Sequence, residues 1–291
     1  MFKETVEASQ TIDANVNWTS NYASHRRKPF LKWVGGKKQL IPQLLNFIPE
    51  SFNKYIEPFV GGGALFFELS HSKSVISDSN EELIITYQAV RDDVMGVISA
   101  LESFSNDEQY YYLMRALDPF KLSKVERAAR LIFLNKTCFN GLYRVNKKGQ
   151  FNVPYNKAVG KNFLDRETLI GASKILEYAK IVPGDYKSIL TRYARKGDFV
   201  FLDPPYQPIA KYSDFKRYTK KFFYEKDQVE LAEDFKRLID RGCKVILTNS
   251  AHPIIFDLYK NFEIRVIPSK RLVSCNPETR TGEDIIVLGG V

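Results

Sequence analysis

The sequence predicts an α/β fold in which one sheet domain is interrupted by a mostly helical insert. Three observations carry this. Short apolar runs of strand length recur along the chain, the first of them joined by a glycine turn and helical periodicity. The strand pattern stops between about residues 105 and 176 and then resumes. The excess of positive charge falls inside that same stretch. The net charge of the 291 residues is +9, and the stretch from Phe120 to Arg166 holds eleven basic side chains against two acids, Glu126 and Asp165, which leaves the remainder balanced.

Taken in order, residues 1–28 are polar and read as a tail ending in His25, Arg26, Arg27 and Lys28. Phe30-Leu-Lys-Trp-Val-Gly-Gly-Lys37 is a glycine turn opening a helix, with Leu40, Ile41, Leu44, Leu45 and Ile48 on its apolar face. Tyr55 to Val60 reads as a buried strand. It runs into Gly61-Gly62-Gly63 and a helix from Ala64 to Leu69. Ser74 to Asp78 is a second strand, and Glu81 to Phe104 has helical periodicity. Within the insert, Ser123 and Glu126 form a capping box ahead of an apolar helix through Leu134. Strands return at Lys180–Asp185, Phe199–Asp203, Lys244–Thr248, Ile264–Ile267 and Ile285–Leu288, with a helix over Lys226–Arg241 stopped by Gly242. The expected division is a tail at 1–28, a sheet domain from 29–104 and 177–291, and an insert at 105–176.

Composition sets bounds. An apolar content of 44% suits a folded protein. No apolar run approaches the roughly 20 residues that span a bilayer, and the N-terminus lacks the apolar stretch of a signal peptide. Cys138, Cys243 and Cys275 are too few and too scattered for a disulfide framework or a zinc site, so a reducing, cytoplasmic compartment and no metal are expected. The basic block admits two readings at this point, a grip on a polyanion or a solvated surface.

Three glycines after a strand let the backbone approach a ligand and free the next helix N-terminus. Asp78 ends the following strand, 17 residues beyond Gly61, where an acid accepts hydrogen bonds from a ribose diol. Packing alone is the competing reading. A dinucleotide fingerprint wants a third glycine where Phe66 stands, which disfavours a pyrophosphate; S-adenosylmethionine, a nucleoside joined to an amino acid, fits.

Asp203-Pro204-Pro205-Tyr206 directly follows an apolar strand. A carboxylate there sits where open α/β sheets bind ligands. The prolines fix an extended turn without N–H groups, so the local backbone offers carbonyl acceptors. The nitrogen lone pair of an exocyclic amino group on a base is delocalised into the ring. Two acceptors gripping its two N–H bonds, the Asp203 carboxylate and the Pro204 carbonyl, would favour a pyramidal, nucleophilic nitrogen, with Tyr206 stacked on the base. In-line attack on a methyl sulfonium then needs mainly proximity and orientation.

With these segments in this order, the chain from about residue 29 to 291 resembles the Dam family of DNA adenine-N6 methyltransferases. Within it, the chain resembles the α-group, whose order is glycine turn, recognition insert, Asp-Pro-Pro-Tyr. The segments are Phe-Leu-Lys-Trp-Val-Gly-Gly-Lys (30–37), Glu-Pro-Phe-Val-Gly-Gly-Gly (57–63), Phe-Asn-Gly-Leu-Tyr-Arg-Val-Asn (139–146), Phe-Asn-Val-Pro-Tyr (151–155) and Asp-Pro-Pro-Tyr (203–206). The resemblance implies a Rossmann-like S-adenosylmethionine-dependent methyltransferase sheet and double-stranded DNA as partner. It implies that Trp33, Lys37, Phe59, Gly61, Gly63, Asp78, Asp185, Tyr186 and Asp203 line the cofactor site. Asp203, Pro204, Pro205 and Tyr206 would carry catalysis, and Lys32 would contact a base.

The insert interleaves aromatics, amides and basic residues from Asn135 to Tyr155, with a hairpin tip at Asn146-Lys147-Lys148-Gly149. Basic residues grip phosphates, arginine reads guanine, and an aromatic wedges into the gap left by an extruded base. Adenine must be flipped out, because its amino group is paired inside the duplex. The resemblance places Phe139 and Asn140 at the emptied stack and Leu142, Arg144 and Pro154 as readers of a site that is commonly GATC. Lys136, Asn146, Lys147 and Lys148 complete the expected DNA contacts, and Phe151 and Val153 read as a small core. Two departures stand out: Lys136 where some members have arginine, and Tyr155-Asn-Lys after Pro154 in place of Gly-Arg-Tyr. Lys211 to Lys226 reads either as a flap over the site or as a solvated loop. The chemistry that loses is cytosine-C5 methylation, which needs a cysteine nucleophile, here without a cysteine following a proline in a candidate loop. Cytosine-N4 methylation, a non-catalytic DNA-binding module on the same fold, and a nicotinamide oxidoreductase stay as alternatives.

Overall fold

The structure is a computed structural model that describes residues 28–33, 35, 37–207, 223–270 and 281–291. The tail through residue 27, the 211–222 part of the expected flap and Cys275 lie outside the described residues.

A single turn of 3-10 helix at Lys37–Gln39 leads into α1 (Ile41–Leu45). The helix expected to run through Ile48 is thus short; Leu40 and Leu44 are buried while Leu45 is 41% exposed. Next come β1 (Tyr55–Glu57), α2 (Ala64–Leu69), β2 (Ser74–Asp78), α3 (Glu81–Asp92) and α4 (Val94–Glu102). Asp93 breaks the periodicity of 81–104 into two helices, because its side chain accepts from Gly96 N and starts a new helix there. The insert contributes α5 (Glu108–Ala116), α6 (Lys124–Thr137) and α7 (Arg166–Leu176). The capping box forms at α6: Ser123 N donates to Glu126 Oε2 at 2.8 Å and Glu126 N to Ser123 Oγ at 3.3 Å. Then follow β3 (Ala179–Pro183), α8 (Tyr186–Tyr193), β4 (Phe199–Leu202), α9 (Glu225–Asp240), β5 (Lys244–Ser250), α10 (Pro253–Leu258), β6 (Glu263–Lys270) and β7 (Thr281–Gly289). The run Lys180–Asp185 divides, since Asp185 leaves the strand to cap α8.

The strands make one sheet in the order β3-β2-β1-β4-β5-β7-β6, parallel except for β7, which is antiparallel to both of its neighbours. The architecture is a Rossmann-like sheet flanked by helices, with an inserted helical region. Both faces are covered, so the central strands β1 and β4 are buried at every residue, and all but Glu57 are apolar or aromatic. Their side chains alternate between two cores. Tyr55, Phe199 and Phe201 face one, with Leu65, Ile98, Leu131, Phe133 and Leu169; Ile56, Val200 and Leu202 face the other, with Leu190, Leu231, Phe235 and Tyr259. The first core runs without interruption from the sheet into α6 and α7, which pack on α3.

Strand order reverses direction between β1 and β4. The crevice outside their carboxyl ends is where such sheets bind ligands. The glycine turn leaves one of those ends, and Asp203 leaves the other.

Candidate active site

The glycine turn is held from several sides. Gly61 N donates to Asp78 Oδ2 at 3.0 Å, Asn80 N donates to Oδ1 at 2.9 Å, and the Tyr87 hydroxyl donates to Gly61 O at 2.9 Å. Gly61 and Gly63 have φ of +47° and +67°, which a side chain would strain. A Cβ at Gly61 would also lie 2.8 Å from Trp33 Cδ1, so the indole rests on the turn because glycine is there. Asp78 therefore builds the turn as well as ending β2. Burial pushes its carboxyl up to about 6 against the lowering effect of the backbone bonds from Asn80, Gly61 and Ser79.

Asp203 meets two donors on one oxygen. Lys37 Nζ lies 2.7 Å from Oδ1, and Thr248 Oγ1 donates to the same atom at 2.8 Å. Burial raises the Asp203 carboxyl above its ordinary range, and Lys37 and Thr248 oppose that shift. The Lys37 ammonium, itself buried, also lies over the Tyr206 ring, 4.4 Å from its centroid. Phe59 packs on Tyr186 with centroids 5.1 Å apart, and the exposed Asp185 accepts from Lys187 N at the start of α8. All the residues expected to bind cofactor or act on it thus surround the carboxyl ends of β1, β2, β3 and β4.

The hairpin-like segment of the insert has two faces. Gly141, Tyr143, Val145, Phe151, Val153 and Tyr155 are buried, whereas Arg144 and Pro154 are exposed and Leu142, Asn146 and Asn152 half-buried. Phe151 and Val153 are buried as expected, but within the core that runs on from the sheet, not in a small one of their own. Phe139 and Asn140 are exposed in a single 3-10 turn, Asn140 in the left-handed region at φ +54°. Arg144 is buttressed by Asn152: Nε donates to Oδ1 at 2.8 Å and Nη2 to the carbonyl at 3.2 Å. Asn146 shapes the tip, its Oδ1 accepting from Lys148 N and Gln150 N, with Lys147 and Lys148 exposed. Lys32 and Lys136 border one groove of about 570 Å³ against residues 162–167. Burial and the nearby Lys32 charge hold the Lys136 ammonium below its usual range.

Not all of the basic excess is free for a polyanion. Arg127 pairs with Glu82, Arg166 pairs with Glu102, and the buried Arg130 donates to the carbonyls of Met114 and Arg115. The exposed remainder includes Lys121, Lys124, Arg144, Lys147, Lys148, Lys157 and Lys161.

Sequence reasoning missed several residues that build the site. Asn135, fully buried, pairs with Lys32 like a strand neighbour: Lys32 N donates to Oδ1 at 2.8 Å, and Nδ2 donates to Lys32 O at 2.6 Å and Gly141 O at 3.1 Å. It ties the insert to the segment before Trp33. Tyr143, from the insert, stacks on Trp33 with centroids 5.2 Å apart and planes 23° from parallel. Glu57 lies buried in β1, bonded by the Tyr55 hydroxyl at 2.8 Å; burial pushes its carboxyl well above the usual range. Thr248, Asn249, Ser250 and Gln228 support the Asp203 turn. The polar run ending an apolar strand at 248–250, and a glutamine on the buried face of α9, were the available signals.

Among the described residues, no helix is long and apolar enough to cross a membrane, and no group of histidine, cysteine or acidic side chains is arranged to hold a metal ion.

Comparison with known proteins agrees with this geometry. The profile of a family described as D12 class N6 adenine-specific DNA methyltransferase matches residues 33–273. The chain is 42% identical over 277 residues to the type II methyltransferase M.MjaIII of Methanocaldococcus jannaschii, covering 87% of this chain and 95% of that protein. It is 42% identical over 261 residues to the type II methyltransferase M1.LlaDCHI of Lactococcus lactis subsp. cremoris, covering 87% and 92%. Identity to a DNA adenine methylase of Serratia marcescens is 30% over 257 residues, covering 86% and 94%.

Proposed function

The chain belongs to the D12 class of N6 adenine-specific DNA methyltransferases, and from that premise we propose that it is an α-group enzyme of the cytoplasm that turns adenine out of duplex DNA and methylates it at N6 within GATC. The observation that carries the reading is a meeting of two devices at the carboxyl ends of β1 and β4. One is the glycine turn beneath Trp33; the other is Asp203, oriented by Lys37 and Thr248.

The residues present fit S-adenosylmethionine. Trp33 offers a flat wall, Gly61 and Gly63 a close backbone, and Asp78 an acceptor for ribose hydroxyls. Phe59, backed by the buried Tyr186, offers an apolar surface for the adenine ring, with the exposed Asp185 as its polar rim. When bound, the cofactor supplies a methyl group made electrophilic by a sulfonium. The protein supplies the rest. Lys37 and Thr248 both occupy Oδ1 of Asp203, so Oδ2 and the Pro204 carbonyl serve as the two acceptors for the target amino group. Gripping both N–H bonds pyramidalises the nitrogen, and Tyr206 stacks the base in place. The proton lost from N6 passes to Asp203, whose burial raises its affinity for it.

On the DNA side, Phe139 and Asn140 fill the gap left by the flipped base. Leu142, Arg144 and Pro154 read the site with Lys32. Lys136, Lys147 and Lys148 grip phosphates, and Asn146 acts by holding the tip that presents them. Support for GATC is the resemblance of the 139–155 segment.

The deciding experiment incubates the protein with S-adenosylmethionine and mixed-sequence duplex DNA and maps the modified positions. The expected product is N6-methyladenine confined to GATC. N4-methylcytosine, or unmodified DNA, would overturn the activity, and N6-methyladenine in another context would overturn the site alone.

Asp78 gives a pH dependence with a definite sign. The ionised carboxylate is the acceptor, and in the free protein it takes up a proton as pH falls below about 6. Affinity for S-adenosylhomocysteine, measured by thermal shift, should fall about tenfold per pH unit below that point. Asp78→Asn should bind weakly and lose this dependence; a parent affinity flat from pH 7 to pH 5 would refute the assignment. The same elevation means the folded protein holds more protons than the unfolded chain between about pH 4 and 6. Asp78 therefore costs stability as pH rises through that window.

A further inference from the structure

We propose that Gln228 and Asn249 are positioning residues that clamp the Asp203–Gln207 turn in its reactive shape, an inference that rests on the function proposed above. Both side chains are fully buried and come from different elements, Gln228 from the first turns of α9 and Asn249 from the end of β5. Gln228 Nε2 donates to the Pro205 carbonyl at 2.9 Å. Asn249 Nδ2 donates to Gln228 Oε1 at 3.0 Å. Asn249 Oδ1 in turn accepts from Gln207 N at 3.2 Å and Ser250 N at 2.9 Å, and Ser250 Oγ donates to Gln207 O at 2.6 Å.

The direction of every bond is forced. A carbonyl only accepts, so Gln228 must present its NH₂ to Pro205 and its oxygen to Asn249. Two backbone N–H groups only donate, so Asn249 must present its oxygen to them and its NH₂ to Gln228. The two amides agree from both ends, and neither can flip without breaking several bonds. The clamp grips Pro205 and Gln207, the residues on either side of Tyr206. It acts one residue away from the Pro204 carbonyl, the second acceptor of the amino group. In-line transfer is sensitive to displacements of about 1 Å, which cost on the order of 10²-fold, so the clamp's contribution should be read in the chemical step.

Gln228→Glu tests this at nearly constant shape. The introduced carboxylate keeps an acceptor for Asn249 but turns an oxygen towards the Pro205 carbonyl. Methylation kinetics should show kcat reduced about 100-fold at pH 8, with KM for cofactor and DNA within threefold of the parent. Protonation restores a donor at that oxygen, so the deficit relative to the parent should shrink at least tenfold by pH 6. Gln228→Met, which removes the bonds at similar volume, should show a deficit without that recovery. A Gln228→Met kcat within threefold of the parent at pH 8, a Gln228→Glu deficit independent of pH, or a loss confined to KM would overturn the clamp. A parent that methylates no adenine overturns the functional reading and the clamp with it. An active parent with an unaffected Gln228→Met variant overturns the clamp alone.

Discussion

Asp203→Asn should lower single-turnover methyl transfer by about 10³-fold or more, while duplex affinity stays within a few-fold of the parent. The reason lies in the two groups that share Oδ1. Lys37 Nζ and Thr248 Oγ1 are both donors to that atom. An asparagine must therefore turn its carbonyl towards them, and its NH₂ then takes the place of Oδ2. The target amino group would meet a donor where it needs an acceptor, and the N6 proton would lose its destination. Asparagine is a cleaner test than alanine, because alanine leaves the buried Lys37 ammonium without either oxygen. Some loss of stability is still expected, since a neutral amide compensates a buried cation less well than a carboxylate. Binding is read by anisotropy of labelled GATC duplex and chemistry by rapid quench. Transfer at the parent rate would sink the proposed mechanism. Equal loss of binding and rate would mean that Asp203 shapes the DNA surface instead.

The parts of this site that could be read from the sequence are those with a local signature. The glycine turn and Asp-Pro-Pro-Tyr stand out because each follows a strand buried on both faces, and such strands appear as bare apolar runs. The capping box at Ser123 and Glu126 is equally local. Long-range polar pairing leaves no such mark. Asn135 bonds a backbone 103 residues away, Thr248 a carboxylate 45 away and Gln228 a carbonyl 23 away; hydrogen bonds impose no period on the chain. Net charge misleads in the same manner. Arg127, Arg130 and Arg166 count towards the basic block, yet the fold spends them on Glu82, on two carbonyls and on Glu102. The helical periodicity of residues 81–104 hides the break at Asp93 for a related reason. Apolar periodicity continues through Asp93, but its carboxylate caps a helix start more favourably than it sits inside one.

Arg144→Ala should relax discrimination at one guanine, compressing the cognate-to-substituted ratio of kcat/KM at that position by about 10- to 100-fold. Position and support argue for base reading over phosphate gripping. The residue lies on the exposed face of the hairpin-like segment between Leu142 and Asn146, opposite the buried Tyr143 and Val145. Its Nε and Nη2 are held by both oxygens of Asn152, so the guanidinium plane is fixed before DNA arrives. A phosphate tolerates a mobile point charge; two parallel bonds to guanine O6 and N7 do not. Arg144→Lys should therefore rescue little discrimination, and Asn152→Ala should lose part of it by freeing the plane. Lys147→Ala and Lys148→Ala, at the exposed tip, should behave in the opposite way. They should weaken all sequences alike and reduce the slope of log affinity against log salt by about one each. If Arg144→Ala instead lowers affinity uniformly and changes the salt slope, Arg144 is a phosphate contact, and the reading of guanine belongs to another residue on that face.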